Sequence, residues 1–221
     1  QLVSTVFKIL HETTREAVPD PVKIAIKSGA AHNLRDHTVL INRSGNEAAI
    51  ETSAAPITGD YGDILGSVLV FSDVTSARKH TQELNWQAYH DSLTRLPNRR
   101  EFERQLKLAI PIHKNEMVSH VILFMDLDQF KIVNDTCGHA AGDNLLKQLT
   151  SLLDLKIRKS DLLARLGGDE FGVLLHDCSS EKGFQIAEHL RQTVDSFRFI
   201  WQQKSFRIGV SIGFVSIKQN D

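Results

Sequence analysis

Two pairs of carboxylates interrupt the apolar runs of this 221-residue chain. Asp126 and Asp128 close the stretch "VILFMDLDQFK", and Asp169 and Glu170 follow two glycines in "ARLGGDEFGVLL". A carboxylate at the end of a buried strand is costly unless it is paired or bound to a metal. Alternation along a strand sets Asp126 and Asp128 on one side and Leu127 on the other. Gly167 and Gly168 permit a tight turn with positive φ and let another molecule approach the backbone. If the two stretches are neighbouring strands, Asp126 and Asp169 converge. Two or three oxygen donors with open positions suit Mg2+, which keeps waters and takes further ligands from substrate phosphates. Taken alone, the Gly-Gly-Asp-Glu tip also fits a solvated hairpin bearing surface acids.

The loop after the first pair, "DQFKIVNDTCGHAAGDNLL", carries Lys131, Asn134, Asp135, His139 and Asp143. An amide offers a donor and an acceptor to a purine edge, and a carboxylate accepts from guanine nitrogens. The same residue types also serve turns and caps, and Asp143 directly before "NLLKQL" suits a helix N-cap.

The pattern around these residues alternates helix and strand. "NRREFERQLKLAI" predicts a helix and "VSHVILFMDLD" a buried strand without alternation. "GDNLLKQLTSLLDLKI" predicts an amphipathic helix with Leu145, Leu149, Leu152 and Leu153 on one face. "LLARL" and "FGVLL" are two strands joined by "GGDE". "EKGFQIAEHLRQTVDSF" is a further helix and "FRIGVSIGFVSI" a further strand. This is an α/β (α+β) domain around a mainly antiparallel sheet.

The first third has a different character. "FKILHETTREAV" has helical spacing at Phe7, Leu10, Thr14 and Val18, stopped by Pro19 and Pro21. "PVKIAIKSGA" fits a short helix ended by Gly29. Three strands then form a meander, beginning at Val39 and Ile41 and joined by the turns "RSGN" and "DYGD". Beyond Ser76, Ala77, Thr81, Leu84 and Ala88 are spaced 4, 3, 4 in a polar, charged segment. That narrow seam fits a two-stranded coiled coil or a helix packing on its own domain.

Bulk properties exclude several classes. A formal net charge of −1 argues against nonspecific binding to a nucleic-acid polymer. Cys137 and Cys178 are far apart, without the spacing of a zinc cluster or disulfide framework, so a reducing compartment is expected. No run approaches the roughly 18 apolar residues of a membrane helix. A start at Gln1 and a polar end suggest a piece of a longer protein.

Three stretches carry a family resemblance: "DSLTRLPNRR" (91–100), "MDLDQFKIVNDTCGHAAGD" (125–143) and "RLGGDEF" (165–171). In order and spacing they resemble the GGDEF diguanylate cyclases over residues 89–217. The resemblance implies a nucleotidyl-cyclase or palm-like central antiparallel sheet flanked by helices. It implies condensation of two GTP into cyclic di-GMP with release of two pyrophosphates. On it, Asp126 and Asp169 hold Mg2+ (or Mn2+) by side chain, and Leu127 by its carbonyl. Asn134 and Asp143 contact guanine, with His139 in the same substrate site. Backbone groups around Gln129, Phe130 and Lys131 hold phosphates, Gly167 and Gly168 leave room for GTP, and Glu170 binds metal or assists proton transfer. "RKSD" (158–161) stands at the spacing of the family's product-inhibition site, with Arg158 and Asp161 as its ligands; by itself this pattern is a surface ion pair.

Residues 30–76 are similar to the second half of a PAS sensor domain, ending in the junction Asp73-Val74-Thr75. The implied organisation is a partial PAS domain (1–76), a signalling helix (77–90) and a GGDEF domain (91–221). Two such catalytic domains must face each other, so a homodimer is implied, as is a cytoplasmic location, whether or not the whole protein is attached to a membrane. Arg95 departs from the glycine frequent in the family. Family members continue past "SIGFVSI" into a helix whose Lys and Arg contact the triphosphate, which puts the activity of this piece alone in doubt. The alternatives are a non-catalytic GGDEF module that binds GTP or cyclic di-GMP, and a sensor and dimerisation fragment.

Overall fold

The computed structural model describes residues 7–34, 37–42, 44–109 and 119–217. The expected turn residue Arg43, the helix end Ile110 and the strand start Val118 lie outside these. The chain divides into two compact units, Gln1–Leu84 and Asn85–Asp221.

The first unit is an antiparallel sheet with one helix. Its strands are β1 (Lys8–His11), β2 (His32–Leu34), β3 (Thr38–Ile41), β4 (Glu47–Thr58) and β5 (Ile64–Asp73). They run β1-β3-β4-β2, with β5 on β4. The expected meander is present as β3, β4 and β5. The expected helix over Phe7–Val18 is not: β1 pairs residue by residue with β3, Leu10 opposite Val39, and buries Ile9. Ladder pairing and the burial of Ile9 outweigh four loosely spaced apolar positions. Helix α1 (Pro21–Ser28) forms as expected: Asp20 accepts from the Val22 and Lys23 amides at 3.0 and 3.4 Å, and Gly29 ends it at φ 67°. At the end of β5, Asp73 accepts from the Thr75 amide at 2.9 Å while the Thr75 hydroxyl accepts from the Ala49 amide at 2.9 Å. The Thr75 hydroxyl and amide hold the Asp73 carboxyl below its ordinary range. Helix α2 (Thr75–Tyr89) starts there and buries none of its residues.

The second unit has a four-stranded antiparallel sheet in the order β11-β6-β8-β7: β6 (His120–Asp128), β7 (Leu162–Gly167), β8 (Glu170–Leu175) and β11 (Gly209–Ile217). One face carries Val121, Leu123, Met125 and Leu127 of β6 and Phe171, Val173 and Leu175 of β8 into the main core. Helix α5 (His139–Asp154) adds Leu145, Leu146, Leu149 and Leu153, and α6 (Ser180–Ser196) adds Leu190 and Val194. Leu152, expected on the buried face of α5, is only half-buried, and Leu146 takes that place. The other face is covered by α3 (Arg99–Ala109), whose Phe102 packs with Ile122, Ala164 and Leu174.

The single strand expected over "FRIGVSIGFVSI" is divided. A hairpin of β9 (Arg198–Trp201) and β10 (Lys204–Arg207) precedes β11, with Ile208 between. Its turn residues Gln202 and Gln203 both have positive φ, 44° and 68°, and Phe199 anchors it in the core. Buried aromatic area offsets the roughly 1 kcal/mol that each left-handed non-glycine residue costs.

Candidate active site

Strand alternation builds the site. On β6, Phe124, Asp126 and Asp128 point away from the main core, while Met125 and Leu127 point into it. The expectation of a uniformly buried strand therefore holds only for His120–Leu123, and Asp126 is exposed. Strand β8 pairs with β6 so that Asp126 stands opposite Glu170, and the Leu127 amide donates to the Asp169 carbonyl at 3.3 Å. The tip between the strands turns through Gly167 and Gly168, at φ 145° and 54°. Both values lie in the positive-φ range that favours glycine.

Four carboxylates gather here. Loss of solvent, then the negative charges of Asp169, Glu170 and Asp128, push the Asp126 carboxyl above its ordinary range. Like charges opposite each other on a sheet repel. The donors are all oxygen. No group of three or more His, Cys, Asp or Glu side chains fit to hold a metal ion occurs among the described residues, so a hard cation here would take few protein ligands and complete its shell with waters or phosphates.

The loop after β6 enters helix α4 (Phe130–Cys137) through Gln129, at φ 64°. Phe130 is half-buried and Lys131 exposed. Asn134 is half-buried, and its Oδ1 is buried without a hydrogen-bond partner among the described residues. A Cβ on Gly142 would lie 2.0 Å from that oxygen, so glycine is what admits the Asn134 side chain. Asp143, the next residue, is exposed within α5; the helix begins at His139, with Gly138 at its N-cap. The N-cap role open to Asp143 is therefore excluded, because the helix starts a turn earlier. His139 is exposed.

Arg158 and Asp161 stand at the opposite end of the β7–β8 hairpin from the glycine turn. The Asp161 amide donates to the Arg158 carbonyl at 3.0 Å, and its Oδ1 accepts from the His176 amide at 3.1 Å. A six-residue strand separates the pair from the tip, roughly 20 Å at strand rise.

Sequence reasoning assigned no role to Asp91, Arg99 or Arg165, although all lie in the motif stretches. Arg165 donates through Nη1 to both Asp91 carboxylate oxygens, at 3.0 and 3.1 Å. Its Nε and Nη2 donate to the Gly168 carbonyl at 3.0 and 2.7 Å, bracing the turn. Burial opposes ionisation of Asp91, but donors from Thr94 and Arg165 together outweigh it and hold its carboxyl below the ordinary range. Arg99 Nη2 donates to Glu170 Oε2 at 2.9 Å and Nε to the Leu166 carbonyl at 3.1 Å. Arg95 adopts φ 67°, a left-handed value that favours glycine, and its guanidinium lies 4.9 Å over the Trp86 ring. The usable signal was Arg165 four residues before Asp169, but partners 71 and 74 residues apart leave no mark in local spacing.

The fold built around this sheet is similar to that of solved proteins. The coiled coil and GGDEF domain of DgcB from Caulobacter crescentus, solved in complex with c-di-GMP, is similar with a TM-score of 0.61 at 26% identity, covering 67% of this chain and 79% of that one. Residues 88–221, more than half of the chain, match the family described as diguanylate cyclase, GGDEF domain, and the chain belongs to that family. It is 41% identical over 213 residues to the probable diguanylate cyclase DgcE of Escherichia coli K12, covering 96% of this chain and 19% of that protein. It is 39% identical over 146 residues to the diguanylate cyclase TpbB of Pseudomonas aeruginosa, covering 65% of this chain and 33% of that protein. The chain thus spans about a fifth to a third of the length of these relatives. No helix among the described residues is long and apolar enough to cross a membrane.

Proposed function

We propose that the second unit is a diguanylate cyclase domain, joining two GTP into cyclic di-GMP with release of two pyrophosphates. The carrying observation is the cluster in which Asp126 opposes Glu170 and feels the charge of Asp169. Asp126, Asp169 and the Leu127 carbonyl would hold Mg2+ or Mn2+. A cation held there would polarise the α-phosphate and lower the pKa of the attacking 3′-hydroxyl. The hydroxyl oxygen forms the new bond to the α-phosphorus, the bond to pyrophosphate breaks, and a carboxylate accepts the proton, with Glu170 in that role. Gly167 and Gly168 leave the turn open to the nucleotide. Backbone groups at Gln129, Phe130 and Lys131 hold phosphates. Asn134 and Asp143 read guanine, with His139 beside them, and the unsatisfied Asn134 oxygen suits an N–H of the base.

Each GTP supplies its hydroxyl to the other, so the active form is a homodimer of facing domains. The exposed seam of α2, with Leu84 on it, is proposed to pair between copies and set their geometry. The first unit is proposed to be a partial PAS sensor (1–76) acting through that helix on the catalytic part (91–221), in the cytoplasm. Offering GTP and ATP side by side with Mg2+ tests the reading: GTP is consumed and ATP is not. Binding without turnover would favour the non-catalytic module instead.

Replacing Asn134 or Asp143 with Ala should raise the KM for GTP about tenfold or more, the range expected when a buried hydrogen bond is lost. Discrimination against ATP should fall as well. Unchanged base selectivity in both variants would return these residues to packing roles.

Arg158 and Asp161 are proposed to bind the product as a feedback inhibitor. Arg158→Ala should weaken inhibition by cyclic di-GMP about tenfold to hundredfold, from the loss of a charge-assisted contact of about 1.5 to 3 kcal/mol. The initial rate should stay unchanged, because the pair lies at the far end of the hairpin. Asp161 is the poorer probe, since it also satisfies the His176 amide. Progress curves with added product decide, and equal inhibition in both proteins would leave Arg158 a surface residue.

A further inference from the structure

Among the described residues, Arg99 is the cation that pairs with a member of the carboxylate cluster, and it borders two cavities. It lines a cavity of about 420 Å³ together with Asp126, Glu170 and Ser211. It also lines a second cavity, about 480 Å³, with Asp91, Arg100, Arg165 and Gly167. Leu166 borders both cavities, and its carbonyl holds the Arg99 Nε. The side chain thus lies on the border of the two cavities, with Nη2 on Glu170 and Nε on the Leu166 carbonyl.

The bond it makes to Glu170 is weakly held. The two side chains are 57% and 53% exposed, and ion pairs that open to water contribute little. Against this stands a cluster with an excess of negative charge. A divalent cation between Asp126 and the hairpin acids would meet Arg99 as a like charge and as a competitor for Glu170 oxygens. Nucleotide phosphates would change that balance, because they offer the guanidinium a bidentate partner once it leaves Glu170.

We propose that Arg99 is a displaceable counter-ion: it occupies Glu170 in the nucleotide-free domain and yields that carboxylate when a divalent cation arrives together with nucleotide. This rests on the reading of the cluster as the metal site. Arg99 is thereby a positioning residue that couples metal loading to substrate loading. It disfavours the metal-only state while costing the fully loaded state little.

The test is Mn2+ binding to the whole chain, followed by electron paramagnetic resonance, with and without a non-hydrolysable GTP analogue. Arg99→Gln removes the charge and keeps much of the bulk at an exposed position. It should bind Mn2+ alone about three- to tenfold more tightly than wild type, the scale of one partly screened charge acting on a dication. The analogue should tighten Mn2+ binding more in wild type than in Arg99→Gln. Arg99→Lys, which keeps the charge, should remain near wild type in Mn2+ affinity. Asp126→Asn identifies the site by failing to bind Mn2+, so that the sextet of the free aqueous ion stays at full intensity. If wild type binds Mn2+ through Asp126 and Arg99→Gln binds it no more tightly, the counter-ion role is overturned and the metal site stands. If wild type binds no Mn2+ in either condition, the metal-site reading falls and the inference with it.

Discussion

Asp169→Asn should lower turnover of GTP by about a thousandfold, the effect of removing one group aimed at transition-state charge, while the domain stays folded. Asp169 follows the glycine turn, where its backbone carbonyl is tied to the Leu127 amide and its charge acts on Asp126. The amide replacement keeps the shape and the backbone bond but removes an anionic ligand. It also removes one of the charges that push the Asp126 carboxyl upward, so that carboxyl moves back toward its ordinary range. Relief of like-charge repulsion predicts a melting temperature equal to or above that of wild type. Circular dichroism and a pyrophosphate-release assay on the same preparation separate the two effects. Near-normal turnover would remove Asp169 from the metal site.

Arg165→Met should carry the largest stability cost. The guanidinium ties Asp91 to the Gly168 carbonyl, and the two side chains are only 11% and 23% exposed. Breaking a buried pair costs about 3 to 5 kcal/mol, and partial exposure reduces this to about 2 to 3. For a unit of this size that is a fall of roughly 6 to 12 °C in melting temperature. The sign with pH follows from Asp91. Its carboxyl is held low in the folded state, so its contribution is present above the ordinary carboxylate range and fades as pH falls through the folded value. Wild type should therefore lose part of its advantage over Arg165→Met in acid. The Asp91→Asn/Arg165→Met double variant should cost less than the sum of the single changes, and strict additivity would contradict the coupling. Because the lost bonds also brace the glycine turn, kcat should fall further than the loss of folded protein explains.

What was legible in the sequence follows from how local each signal was. Helix α1 was legible from the Gly29 that ends it; its start, at the Asp20 cap and Pro21, appears in the structure. The acidic cluster was legible because apolar runs ending in acids mark strand ends, and the β6–β8 pairing then brought Asp126 to Glu170. The segment at β1 was misread because its strand character depends on β3, some thirty residues away. The β9–β10 hairpin was missed because Gln202 and Gln203 take positive φ without glycine, for the sake of Phe199 in the core. Asp143 was open to a capping role only while the start of α5 was unknown; once Gly138 opens that helix, the carboxylate is free for a ligand. Arg99 and Arg165 were invisible as partners because ion pairs across the fold leave no periodicity.

Incubating the whole protein with GTP and Mg2+, and resolving the products by chromatography beside a pyrophosphate assay, decides whether the second unit is a cyclase. Expected are cyclic di-GMP and two pyrophosphates for each molecule formed, with none of either when Asp126 and Asp169 are both replaced by Asn. GTP left intact by the well-folded, metal-loaded protein, or pyrophosphate released without the cyclic dinucleotide, would contradict the cyclase reading.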